Sequence, residues 1–289
     1  MWLLAVALVL LAAFGATPAG AAAKVDCPAH YPNGEPEIAG TQNTTKLCRL
    51  AYAVRHDDRR KEPLWVAYEL TRTEAYGCFE RKDRFKPDPD LKAGKRAELA
   101  DYKAGSATYD RGHVAPADDM LESIPIMRES FYLSNMTPQI VTLNRGLWAR
   151  IEQAVHIWAA DRDGLAIVTG PIFAAGAAKS IGSDKVAVPS GYYKVAYDSA
   201  ANIAVSFEVP NQDTAGRKPE EFVSTLGAIE KATGIALLPG LGAATRAKLH
   251  DLGADELWPV DVKHFRSERL KFCRIKTRNG WRSADDPVQ

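Results

Sequence analysis

The sequence predicts an α+β fold built around a mainly antiparallel sheet with flanking helices. Three observations carry that expectation. Short β-branched and aromatic runs alternate with helix-patterned segments without a regular βαβ rhythm. The segment 165–173, "LAIVTGPIF", is almost wholly apolar and reads as a central strand. Residues 143–160 repeat apolar side chains at three-to-four spacing, the signature of an amphipathic helix.

The chain of 289 residues can bury a large core, and 46% hydrophobic with 25% charged residues excludes disorder and a polytopic membrane protein. Its N-terminus departs from that average. An apolar run from Trp2 to Phe14 is followed by Gly15, Pro18, Gly20 and Ala21–Ala23 before the first charge at Lys24. The run is short of the roughly 20 residues a membrane span needs. It predicts a signal peptide over 1–23, although no Lys or Arg precedes it, and a single domain over 24–289 in a secreted or periplasmic protein without stable membrane association. The even set Cys27, Cys48, Cys78 and Cys273 has no CxxC spacing, which favours two disulfides. Three connectivities are open, and the expected pairs are Cys27–Cys48 and Cys78–Cys273.

Along the chain, 63–71 ("PLWVAYELT") reads as a strand. Residues 81–91 are charged and broken by proline, hence a loop. Residues 131–135 ("FYLSN") form a short strand candidate ending before Pro138. On the helix over 143–160 the apolar face is Leu147, Trp148, Ile151, Ala154, Val155 and Trp158. Two further strands are expected at 192–198 and 202–210, and a helix over 220–234 stopped by Gly234. The net charge is +1, so any polyanion site must be local. The most basic part is a C-terminal extension from about 255, in which residues 261–289 carry eight Lys and Arg against four acids.

The stretch "TYDRGHVAPADDM" (108–120) sets Asp110, Arg111, Gly112 and His113 side by side, a composition that fits neither a buried strand nor a solvated loop. Imidazole titrates near neutrality, so His113 is the candidate general base. On the helix, Asn144 and Glu152 are eight residues apart; at about 100° each they share a side, roughly 12 Å apart along the axis. That separation suits an oxygen ligand and a holder of coordinated water for a hard cation better than two direct ligands. Asp118 and Asp119 read as structural, and Trp148 as core.

The order DRGH, "SNMTPQ" (134–139), then "NRGLWARIE" (144–152) resembles the DNA/RNA non-specific endonuclease family, the ββα-metal (His-Me finger) nucleases that include secreted bacterial and mitochondrial enzymes. "TGPIF", "VPSGYYKVAYD" and "IEKATGIALLPGL" extend the resemblance over much of the chain. It implies a ββα-metal fold and hydrolysis of DNA and RNA phosphodiesters to 5′-phosphate ends. It further implies His113 as base, Asn144 as the direct protein ligand of Mg²⁺ or Mn²⁺, Glu152 holding water, and Arg111 on phosphate, with Asp110 and Asn135 positioning the site. Gln139 belongs to the same motif and is assigned to substrate. A family arginine precedes an aromatic residue upstream; Arg81 and Arg84 both precede Phe85 and the sequence does not settle between them, with Arg84 expected to serve catalysis and substrate contact. A homodimer is compatible with the sequence. Two other readings stand beside this one: a phosphodiesterase of the same fold acting on small nucleotides or oligonucleotides, and an inactive nucleic-acid-binding relative. No HExxH, GxSxG or GxxxxGK[ST] motif supports another hydrolase class.

Overall fold

A computed structural model describes residues 27–104, 107–176, 179–251 and 257–278. The expected signal peptide at 1–23 lies outside the described residues. The strands in chain order are β1 (Glu37–Ile38), β2 (Thr44–Cys48), β3 (Ala53–Asp57), β4 (Glu62–Leu70), β5 (Tyr109–His113), β6 (Met136–Ile140), β7 (Leu165–Ile172), β8 (Ser180–Ile181), β9 (Val186–Ala187), β10 (Gly191–Asp198), β11 (Ile203–Pro210), β12 (Val223–Ser224) and β13 (Ile235–Ala236). The α-helices are α1 (Arg72–Ala75), α2 (Leu99–Ala104), α3 (Ile124–Ser130), α4 (Ala149–Asp161), α5 (Leu226–Thr233), α6 (Ala243–Asp251) and α7 (Val262–Arg278).

Seven strands form one sheet in the order β12-β11-β10-β7-β4-β3-β2, with every neighbouring pair antiparallel. It consists of two meanders joined at β4 and β7. The chain between those central strands leaves the sheet to build the β5-β6 pair and α4, then re-enters it.

Alternation along the central strands gives each face its own core. Val66, Tyr68, Ile167, Tyr192 and Ala196 pack on one side with Leu147, Trp148, Ile151, Val155 and Trp158 of the long helix. Trp65, Ala67, Val168, Tyr193, Val195 and Tyr197 pack on the other with Leu226 and Ile229 of α5 and Leu249 of α6. Burying each such large side chain contributes about 1.5–3 kcal/mol. Both disulfides pair as expected, Cys27–Cys48 and Cys78–Cys273, with Cα–Cα separations of 5.3 and 5.5 Å.

Two boundaries differ from expectation. The strand expected at 131–135 is a turn, and the strand is β6, which includes Pro138. The Asn135 side chain bonds to the backbone of Ala115 and Ser130, which fixes the turn. Pro138 is tolerated because β6 pairs only with β5. The helix expected over 220–234 begins later: Thr225 caps α5 by accepting from the Ala228 amide, and residues 223–224 pair with β11 as β12. Its stop is as expected, with Gly234 in the left-handed region at φ 70°.

Candidate active site

The segment DRGH is a strand after all, β5, but one outside the main sheet and paired only with β6. Its composition follows from that position, since one side faces a cleft and the other lies against β6. Gly112 is required by space: a Cβ there would collide with Gln139 Oε1 and stand 2.6 Å from Gln139 Cβ. Gln139 itself, assigned to substrate from the motif, is fully buried behind this glycine and outside the cleft lining. The structure does not bring Gln139 into the cleft with the other motif residues.

His113 ends β5 and is half-buried. Its ring meets Phe131 edge-on at 5.0 Å and Phe85 at 5.7 Å, and its Nε2 is buried without a protein partner. Burial, with the positive charges of Arg81 and Arg111, pushes the imidazole down to about 3. The Arg111 guanidinium lies 4.1 Å over the Phe85 ring and that of Arg81 5.5 Å over Phe131. Arg81 lines the cleft, whereas Arg84 is exposed and does not. The sequence left these two arginines unresolved, and the structure brings Arg81 to the site in place of Arg84. Their loop is pinned by Lys86–Phe131 and Leu133–Lys86 backbone bonds and by Arg49 bound to buried Asp88.

The segment after His113 is clamped by Asn135, which is fully buried. Its Oδ1 accepts from the Ala115 amide and its Nδ2 donates to the carbonyls of Ala115 and Ser130, each at 2.9 Å. Asn135 thus ties the segment after His113 to the end of α3 without touching the cleft.

The helix opposite begins with a π-turn, Leu143–Trp148, before the regular α4. Such wide turns recur at functional sites because they re-aim side chains. Asn144 projects from this turn and donates from Nδ2 to Asp110 Oδ2 at 2.9 Å. Arg145 binds both Asp110 oxygens at 2.7 and 2.8 Å. Burial raises the Asp110 carboxyl, but the Arg145 and Asn144 hydrogen bonds outweigh it and hold the group below the usual carboxylate range.

Glu152 lies two turns further on and lines the same cleft, with Oε1 buried and unpartnered. Burial drives it upward to about 8 against the pull of Lys194, with Asp119 and Asp118 adding to the rise. Lys194, on β10, is fully buried; its Nζ lies 5.2 Å over the Trp148 ring and 3.5 Å from the Val114 carbonyl. Asp119, also buried, accepts from Tyr68 Oη at 2.7 Å and pairs with His156 Nδ1 at 2.6 Å.

The cleft has a volume of about 740 Å³ and unites His113, Arg111, Asp110, Arg81, Asn144, Arg145 and Glu152. Sequence reasoning missed Arg145 and the α7 wall in the lining and, beside Glu152, the buried Lys194. Lys194 carried no local signal, because its partners come from other elements. The α7 wall, with Phe265, Arg266 and Arg269, was seen only as a basic tail. Among the described residues no helix is long and apolar enough to cross a membrane.

Residues 32–244 match the DNA/RNA non-specific endonuclease family. Over 216 residues the chain is 33% identical to the mitochondrial nuclease EXOG of Homo sapiens, covering 68% of this chain and 58% of that protein. It thus spans less than two thirds of that relative's length. Over 219 residues it is 33% identical to the nuclease of Serratia marcescens, covering 73% and 81%. To mitochondrial endonuclease G of Homo sapiens it is 30% identical over 207 residues, covering 67% and 69%. Among solved structures, the EndoG/EndoGI complex contains a chain that superposes with a TM-score of 0.69 at 25% identity, over 77% of this chain and 95% of that one.

Proposed function

The chain belongs to the DNA/RNA non-specific endonuclease family, and from that premise we propose that it is a metal-dependent endonuclease hydrolysing DNA and RNA phosphodiesters without strong sequence specificity. The observation that carries the reading is a buried, unpartnered imidazole nitrogen on His113 in one cleft with two arginines, Asn144 and Glu152.

The residues fit a hard divalent cation, Mg²⁺ or Mn²⁺. Asn144 spends its Nδ2 on Asp110, which leaves Oδ1 as its free donor atom, and Glu152 offers an unpartnered carboxylate oxygen. A cation bound there supplies Lewis-acid polarisation of the phosphoryl group and neutralises charge on the leaving oxygen.

The remaining steps belong to the chain. His113 is neutral at physiological pH, because burial and its arginines depress it, so Nε2 is ready to take a proton from the attacking water. Arrival of a phosphodiester anion between Arg81 and Arg111 offsets the positive field and makes that nitrogen a stronger base. Both arginines then stabilise the added charge of the five-coordinate state. With a cation bound, the burial that holds the Glu152 proton is offset, and the resulting carboxylate accepts hydrogen bonds from water at the site and restricts its orientation. Expulsion of the 3′ oxygen leaves the phosphate on the 5′ side. Contacts made to phosphate rather than base edges account for weak sequence preference. The two disulfides and the apolar N-terminal run support action in an oxidising, extracytoplasmic compartment.

The test is digestion of supercoiled plasmid and of total RNA, with Mg²⁺ and with EDTA, beside His113→Ala. Internal cutting of both, abolished by EDTA and reduced about 10²–10⁴-fold in the variant, is expected. Absence of cutting by disulfide-bonded protein with Mg²⁺ or Mn²⁺ would overturn the reading and favour small phosphodiesters or a binding role.

A further inference from the structure

We propose that α7 is a second phosphate-binding wall of the cleft, in which Arg266 holds a backbone phosphate flanking the scissile one and thereby favours polymers over short substrates. This rests on the nuclease reading above and adds to it a residue and a substrate preference.

The family match ends at residue 244, so α7 lies wholly beyond it. It is nonetheless built into the site. Phe265 packs edge-on against His156 at 5.0 Å and tilted against Tyr76 at 5.5 Å, and Phe272 meets Tyr76 at 5.5 Å. Arg269 donates to the Gly77 carbonyl at 3.0 and 2.6 Å, and the Cys78–Cys273 disulfide ties the helix to the segment that leads into the Arg81 loop. Arg269 is therefore a brace. Arg266 is exposed and lines the same cleft as His113.

Charge points to the occupant. The helix carries seven Lys and Arg against one Glu, or +6, while the whole chain is +1, so everything outside α7 sums to −5. A polyanion approaching this protein is repelled on average by the remainder and attracted by this helix. Distance then fixes which phosphate is held. Phe265 touches His156, twelve residues beyond Asn144, which is on the order of 15–18 Å along the helix axis. Arg266 is thus placed for a phosphate further along the backbone and not for the one undergoing attack.

The experiment uses the full disulfide-bonded protein carrying His113→Ala, so that substrate is bound and not consumed. Fluorescence anisotropy with Mg²⁺ measures its affinity for a labelled single-stranded 20-mer and for a dinucleotide across a NaCl series. Adding Arg266→Glu is expected to weaken 20-mer binding by ~10-fold and to flatten the log–log salt slope by about 0.7, the value for one phosphate contact on a single strand. Dinucleotide affinity should not change. Lys248→Glu, on α6 across the sheet, controls for loss of positive charge as such. Equal 20-mer binding and slope with and without Arg266→Glu, or equal weakening by Lys248→Glu, would overturn the proposal. Failure of the His113→Ala protein to bind the 20-mer at all would instead count against the nuclease reading.

Discussion

Replacing Gly112 by alanine should displace His113, the proposed base, without touching it. A methyl on Gly112 would lie 2.6 Å from Gln139 Cβ. Two carbons rest at ~3.5–4.0 Å, so β5 and β6 must part locally by about 1 Å. The Gln139 amide can swing aside, since neither Oε1 nor Nε2 has a partner, but its Cβ is fixed to the backbone of β6. The movement therefore falls on β5, whose next residue is His113. Misplacing a reacting group by 1 Å costs about 10²-fold in rate, and overpacking costs about 1–3 kcal/mol of stability. Initial rates on a fluorogenic duplex at saturating concentration, with thermal denaturation alongside, would show both effects. The exchange variant Gly112→Ala/Gln139→Gly moves the crowding atom from one strand to the other and should recover most of kcat. A Gly112→Ala protein within about threefold of the parent kcat, or an exchange variant as slow as the single one, would refute the argument.

Asn135→Ala removes three buried hydrogen bonds around the base and should lower stability by at least about 2 kcal/mol, read as a lower urea midpoint at unchanged m. Its kcat should fall as well, because the Ala115 backbone loses its clamp. Glu152 gives a pH signature. Burial holds its proton in the folded chain to about 8, whereas the unfolded chain sheds it in the ordinary carboxylate range. Its contribution to stability is thus full below that range and is lost as pH rises through about 8. Glu152→Gln should flatten the decline and gain on the parent above pH 8 in chemical denaturation; a parent-like slope would contradict it.

Periodicity made much of the fold legible. The central strands and α4 carry their pattern in every second or every third and fourth residue, and both faces of the sheet follow from it. Errors arose where one side chain overrides the pattern: Asn135 turns an apolar run into a bend, and the Thr225 cap starts a helix six residues late. His113, Asn144 and Glu152 stood in one ordered motif and meet in the cleft, whereas Gln139 of the same motif is buried against Gly112. Choosing between Arg81 and Arg84 needs the path of their loop over Phe131 and Phe85. Lys194 was invisible because a lysine in an apolar strand acquires meaning only when Glu152, Asp119 and Trp148 arrive from elsewhere.

That buried lysine sets activity against durability. Lys194 and Asp119 are buried ionisable groups beside Glu152 of the cleft wall, and Glu152 Oε1 and His113 Nε2 are left without protein partners. Well-packed apolar replacements for such clusters are often stabilising by 1–4 kcal/mol. A directed-evolution campaign that screened this protein for heat tolerance alone would therefore enrich aliphatic substitutions in this cluster, and its best survivors would be inert. Engineers seeking a hardier enzyme should freeze these positions and look to surface loops and helix caps instead.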